Sequence, residues 1–281
     1  MPCPTVGLAL APPSPAGALL APAFDVLVER EGELAPVRAA AERSPLAAAT
    51  LVQILRHGRA LDLHERLVAE SLAYSTLQAG PEFAAWLAAR GAPPRREPLD
   101  GPAVRSRREG ARLRLTLDRP RKHNAFSAEM RDALAEGLEL ALADASIEEI
   151  LLDGAGPSFC SGGDLDEFGT FPDPATAHAV RSARSPARLL SLCAERARAE
   201  VHGACVGAGC ELPAFCRHVR ARADAFFQLP EIAMGLVPGA GGTASLPNRI
   251  GRQRTAWLAL SGSRIDAATA LRWGLVDEIA S

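Results

Sequence analysis

Residues 200–216 read EVHGACVGAGCELPAFC. The first seven, EVHGACV, predict a strand. It runs into a turn of small residues, Val206-Gly207-Ala208-Gly209-Cys210-Glu211, and then into an apolar helical stretch that Glu211 leads. A second turn of this kind, Phe159-Cys160-Ser161-Gly162-Gly163-Asp164-Leu165, follows the strand-like segment 147–153, IEEILLD. Strand, glycine turn and helix in repeated succession predict an α/β fold. The first N–H groups of a helix have no partner inside it and can hold an anion. Two such donors converging on one oxygen make an oxyanion hole. Taken singly, each turn is also what tight strand–helix packing without a ligand requires. A dinucleotide-binding reading of the Val206–Glu211 turn is weaker, because G-x-G-x-x-G needs glycine where Leu212 stands.

Outward from these turns the texture divides the chain. Residues 112–117, RLRLTL, alternate as a half-buried strand does, and Ser127 predicts the cap of a helix running to about 143. Residues 91–110, GAPPRREPLDGPAVRSRREG, have the Pro, Gly and Arg content of a linker. Residues 34–90 carry helical spacing, with Pro45 opening one helix and Gly80-Pro81 separating another. Residues 1–33 read as an irregular segment with one short strand, FDVLVER at 24–30. The expected organisation is therefore 1–33 irregular, 34–90 helical subdomain, 91–110 linker and 111–281 α/β core.

Composition removes several classes. The 281 residues are 48% hydrophobic, enough for a large core. Thirty-one Lys and Arg against 33 Asp and Glu leave a formal charge of −2, with no basic excess to draw nucleic acid. Lys122 is the only lysine, so the Gly-Lys-Ser/Thr of a phosphate-binding P-loop is absent. Six cysteines form no C-x-x-C pair, and Cys205, Cys210 and Cys216 lie in an apolar stretch, as small buried thiols do. A zinc site would need tighter pairs and histidines at matching spacing. Pro12, Pro13 and Pro15 interrupt the N-terminal apolar run, and no run reaches the ~20 residues of a membrane span. These features predict a cytoplasmic protein that engages neither membrane nor nucleic acid.

Two carboxylates sit in apolar sequence: Glu211, and Glu231 within Gln228-Leu229-Pro230-Glu231-Ile232-Ala233-Met234-Gly235. A carboxylate in such surroundings either pairs with a cation or has a raised pKa. A pair of them beside an oxyanion hole suits general acid–base chemistry next to a carbonyl. Each alone also fits a plainer role, a helix-terminal charge for Glu211 and a surface charge for Glu231.

From about residue 111 to 279, roughly 60% of the chain, the sequence resembles the enoyl-CoA hydratase/isomerase (crotonase) superfamily. The resemblance rests on five blocks in order: LDRPRKHNAF at 117–126, FCSGGDLDEF, HGACVGAGCELPAFC, LPEIAMGLVPGAGGTASLPNRIG and SGSRIDAATALRWGLVDEI. It implies a spiral of ββα repeats, an acyl-CoA thioester substrate, no cofactor beyond that coenzyme A, and a homotrimer or hexamer. Carried over position by position, the N–H groups of Gly163 and Ala208 would bind the thioester oxygen. Glu211 and Glu231 would hold and activate water, Glu211 as base and Glu231 as donor of the α-proton. Arg121, Lys122, Asp164 and Leu165 would lie along the coenzyme A. The implied function is enoyl-CoA hydratase. An enoyl-CoA isomerase, a cofactor-independent aryl-acetyl-CoA dioxygenase, and a non-catalytic module binding acyl-CoA or RNA are the alternatives.

The layout departs from the family, whose members continue past the GLVDEI block with further helices. Residues 45–90 look similar to that segment, which suggests a circular permutation joined through 91–110; the alternative is an unrelated N-terminal helical domain with a truncation. Under the permutation, Arg90, or Arg95 and Arg96, would take the place of basic tail residues on coenzyme A. As linker arginines they could equally be solvated charges. Tyr74 and Trp86 are expected to pack; Phe168 and Phe171, in the stretch 166–190 read as a loop or short helix, could line an acyl pocket, with packing as the default reading.

Overall fold

The computed structural model of the protein describes residues 3–9, 14–91 and 101–280, so Arg95 and Arg96 lie outside the described residues. Strands β1 (Val6–Leu8) and β2 (Val26–Val28) pair in parallel, with helix α1 (Pro15–Leu20) between them. The expectation that residues 1–33 form an irregular segment with one short strand is therefore too plain. Ser14 caps α1 by accepting the Gly17 N–H, and Asp25 takes the backbone and hydroxyl donors of Thr5.

Four helices follow: α2 (Leu34–Arg43), α3 (Pro45–His57), α4 (Leu63–Gln78) and α5 (Pro81–Arg90). Pro45 and Pro81 each stand in the first turn, where proline's missing N–H costs no hydrogen bond. Asp62 and Glu65 form a reciprocal capping box at the start of α4. Leu51, Val52 and Leu55 of α3, Leu77 of α4 and Phe83 of α5 are buried in the same hydrophobic core as the sheets.

The remaining elements spiral between two sheets. The larger has the order β11-β8-β6-β5-β4-β3: β3 (Val104–Glu109), β4 (Arg112–Leu117), β5 (Glu149–Gly154), β6 (Ala197–Val201), β8 (His218–Arg222) and β11 (Glu278–Ala280). The smaller has the order β10-β9-β7: β7 (Ala204–Val206), β9 (Phe226–Gln228) and β10 (Ile265–Asp266). The chain leaves the larger sheet, passes through the smaller one and enters a helix. It does so through β6 and β7 into α9 (Ala208–Glu211), and through β8 and β9 toward α10 (Gly242–Ile250). Single bridges, Phe126 with Gly163 and Cys160 with Cys205, extend the small layer to the segments before α6 (Ala128–Ala143) and after β5. Helices α7 (Pro174–Ala183), α8 (Pro186–Leu192), α11 (Arg252–Ser261) and α12 (Ala267–Trp273) complete the described chain.

Three readings change here. The linker ends earlier than residue 110, because Val104–Glu109 pairs antiparallel with β4 along its whole length. That edge strand buries only Val104 and leaves four arginine and serine side chains outside, so no apolar alternation marks it. The predicted strand 200–206 is two strands in two sheets, broken at His202-Gly203. Gly203 has φ +55°, and a β-carbon there would stand 2.2 Å from the Pro157 carbonyl oxygen. The stretch 166–190 carries two helices, α7 and most of α8, each with an Asp or Ser side-chain cap.

Candidate active site

Glu211 closes α9 rather than opening a helix; the turn is four residues long and Pro213 leads into a 3₁₀ turn. Its carboxylate is 2% exposed, and one oxygen, Oε2, accepts the N–H groups of Ala240 and Gly242, both at 2.8 Å. Gly242 must be glycine for this approach, since a β-carbon would stand 2.7 Å from Glu211 Cγ. Among the described residues no partner reaches Glu211 Oε1.

Glu231 enters from the 3₁₀ turn Glu231–Met234 and is 8% exposed. Its Oε1 lies where a β-carbon on Gly207 would be 2.6 Å away, and Gly207 has φ +49°. Its Oε2 is buried with no hydrogen-bond partner among the described residues. Burial raises both carboxyls, Glu231 to about 8 and Glu211 well above the usual range, and the charge of Glu231 pushes Glu211 further up. Two like charges in one dry site leave one ionised and one protonated as the favoured state.

The N–H groups of Gly163 and Ala208 have no acceptor among the described residues. Both residues line one cavity of about 450 Å³ with Glu211 and Glu231. The bridges that hold them explain the arrangement. Phe126 donates to the Gly162 carbonyl and accepts from Asp164, which leaves the Gly163 N–H facing away from the pairing. Val206 donates to the Cys160 carbonyl, which docks the Ala208 turn beside the Gly163 turn.

Leu165 also lines this cavity, and so do Trp86, Phe168 and Phe171. Arg90, Arg121, Lys122 and Asp164 stand outside its lining. Arg90 donates to the Leu165 carbonyl and pairs with Asp166 at 2.9 Å; Lys122 pairs with Asp166 at 2.6 Å. Asp164 is buried and pairs with Arg119 at 2.9 Å. These charges brace the turn that carries Gly163.

The helices of residues 63–90 reach the cavity. Tyr74 lies against Gly239, where a β-carbon would be 2.5 Å from its ring, and under the Arg181 guanidinium at 4.7 Å. Trp86 packs edge-on against Phe168 with ring centres 5.8 Å apart. Tyr74 and Trp86 therefore both pack and line the cavity. The residue that sequence reasoning missed is Glu70. It is 2% exposed, and its Oε1 accepts the Gly241 N–H at 2.7 Å. Its Oε2 accepts the Thr243 N–H at 2.7 Å and the Thr243 hydroxyl at 2.6 Å. Burial raises this carboxyl to about 7. In sequence it reads as one polar position in a helix whose faces are weakly divided, VAESLAYS, and only its partners 171 and 173 residues away mark it. A larger depression of about 1430 Å³, which includes Trp257 and Trp273, contains none of the predicted site residues.

A spiral of paired strands that turns two free amides and two buried carboxylates onto one cavity has the architecture of the crotonase fold. The chain belongs to the enoyl-CoA hydratase/isomerase family, whose model matches residues 107–281. It is 38% identical over 167 residues to a 2,3-dehydroadipyl-CoA hydratase of Escherichia coli and 36% identical over 171 residues to a 1,2-epoxyphenylacetyl-CoA isomerase of the same organism. Each match covers 59% of this chain and 65% of the relative, so the chain spans just under two thirds of their length. The solved structure of an enoyl-CoA hydratase from Thermoplasma volcanium superimposes with a TM-score of 0.59 at 33% identity, over 64% of this chain and 72% of that one.

Proposed function

We propose that the protein is an enoyl-CoA hydratase, adding water across a 2-enoyl-CoA to give a 3-hydroxyacyl-CoA. The observation that carries this reading is the pair of buried glutamates, which among the described residues have no neutralising cation and line the cavity that holds the Gly163 and Ala208 amides, themselves without an acceptor among those residues. The two amides would hold the thioester oxygen and stabilise the enolate charge that forms as water adds. Glu211, whose Oε2 is held by two N–H groups while Oε1 accepts none among the described residues, would take a proton from water through Oε1. Glu231, with no donor on Oε2, would be the protonated partner that supplies the α-carbon's proton. No cofactor beyond the substrate's coenzyme A enters this scheme.

The name of the 36% identical relative keeps isomerase chemistry as the second reading, since moving a double bond needs only one placed base. We further propose that residues 45–90 do for this cavity what the helices after the GLVDEI block do in the family, as their Tyr74 and Trp86 on its wall suggest. Arg90 would then sit near coenzyme A only by way of Asp166 and Leu165.

Crotonyl-CoA tests the reaction. Hydration predicts loss of the enoyl-thioester absorbance and a product heavier by one water. Unchanged crotonyl-CoA, together with a 3-enoyl-CoA that gains the conjugated band, would replace hydration by isomerisation.

A further inference from the structure

The backbone amides of residues 240–243 alternate between two carboxylates. Ala240 and Gly242 donate to Glu211, while Gly241 and Thr243 donate to Glu70. Gly241 has φ +102°, which lets successive peptide planes face opposite ways, and a β-carbon there would be 2.6 Å from the Phe215 ring. Glu70 and Tyr74 are one turn apart on α4, so that helix face fixes the same loop twice, through Tyr74 on Gly239 and through Glu70 on Gly241 and Thr243. Without an acceptor on the Glu70 side, two buried N–H groups and a hydroxyl would have no partner, and the loop could rotate its planes to find one. Rotation would withdraw the donors that hold Glu211.

We propose that Glu70 is a positioning residue: it holds the 240–243 loop so that the Ala240 and Gly242 amides fix the Glu211 carboxylate toward the cavity. Helix α4 is in this way part of the machinery of the α/β core. The inference rests on the reading of Glu211 as a base, and it adds a residue from outside the segment 107–281 that the family model matches.

Glu70→Gln keeps the shape and removes the second acceptor oxygen. The variant is compared with wild type by amide hydrogen exchange and by turnover of crotonyl-CoA. Exchange of the Ala240 and Gly242 amides should quicken at least about tenfold while the β5 and β6 amides stay protected. Turnover should lose at least about tenfold in kcat with KM within about threefold, because a displaced base harms the chemical step and not the binding of coenzyme A. Wild-type exchange at Ala240 and Gly242 in a folded Glu70→Gln protein would overturn the proposal, as would an unchanged kcat in an active enzyme. If wild type leaves crotonyl-CoA untouched and exchange at the two amides still quickens, the hydratase reading fails while the coupling of Glu70 to the loop stands. Should Glu70→Gln not fold, Thr243→Val, which removes the hydroxyl donor alone, is read in the same two ways. It should quicken exchange at Ala240 and Gly242 by a smaller factor, and no change there would overturn the proposal.

Discussion

At Glu231 the surroundings set both charge and stability. Its folded pKa, about 8, lies above the usual 4.5, so the folded chain holds this proton more tightly than the unfolded chain does. Stability is therefore highest below the unfolded value and falls as pH rises through the folded one. Glu231→Gln removes the titration without changing the shape. The variant should match wild type in unfolding free energy near pH 4 and exceed it by at least about 1 kcal/mol near pH 9. Denaturant unfolding at the two pH values checks this. The pair Glu211 and Glu231 was legible in the sequence because both stand in apolar runs beside glycine turns. Glu70 was not, because a carboxylate on a helix of weakly divided faces looks the same whether its partner is water or a distant loop.

At the scale of elements, the break between β6 and β7 decides where the Ala208 turn lands. His202-Gly203 carries the chain from the larger sheet to the smaller, and only a residue without a β-carbon fits beside the Pro157 carbonyl. Gly203→Ala should lower the unfolding free energy by about 2 kcal/mol or more, through positive φ and the clash together, seen as a lower thermal midpoint. EVHGACV reads as one strand because Val201, Cys205 and Val206 lie in one short run, and a pattern of hydrophobicity does not record a change of sheet. Such a pattern also misses β3, whose side chains at 105–108 are solvent-exposed at a sheet edge. The helices α3, α5 and α6 were readable, because Pro45, Pro81 and Ser127 mark their starts chemically.

For the whole molecule, the N-terminal segment is tied to the α/β part by more than the cavity. Asp25 is 1% exposed and receives Thr5, Arg56 at 2.5 Å and Arg252 at 2.9 Å, joining the β1–β2 pair to α3 and α11. Burial alone would raise its carboxyl; the Arg56 and Thr5 hydrogen bonds outweigh burial and lower it. A lowered pKa contributes stability above the unfolded value of 3.8, lost as pH falls through the folded one. Asp25→Asn should cost about 3 kcal/mol near neutral pH, because it leaves two guanidinium groups against a neutral amide. The deficit should shrink as wild type is acidified below about pH 4, which urea unfolding across pH measures.

The division of labour between Glu211 and Glu231 is tested most directly by kcat/KM on crotonyl-CoA across pH, for wild type, Glu211→Gln and Glu231→Gln. A base and an acid working together predict a bell-shaped wild-type profile and a loss of at least about 100-fold in each variant, with KM little changed. A variant of either glutamate that keeps near-wild-type turnover would contradict the two-carboxylate mechanism and leave a single base at work.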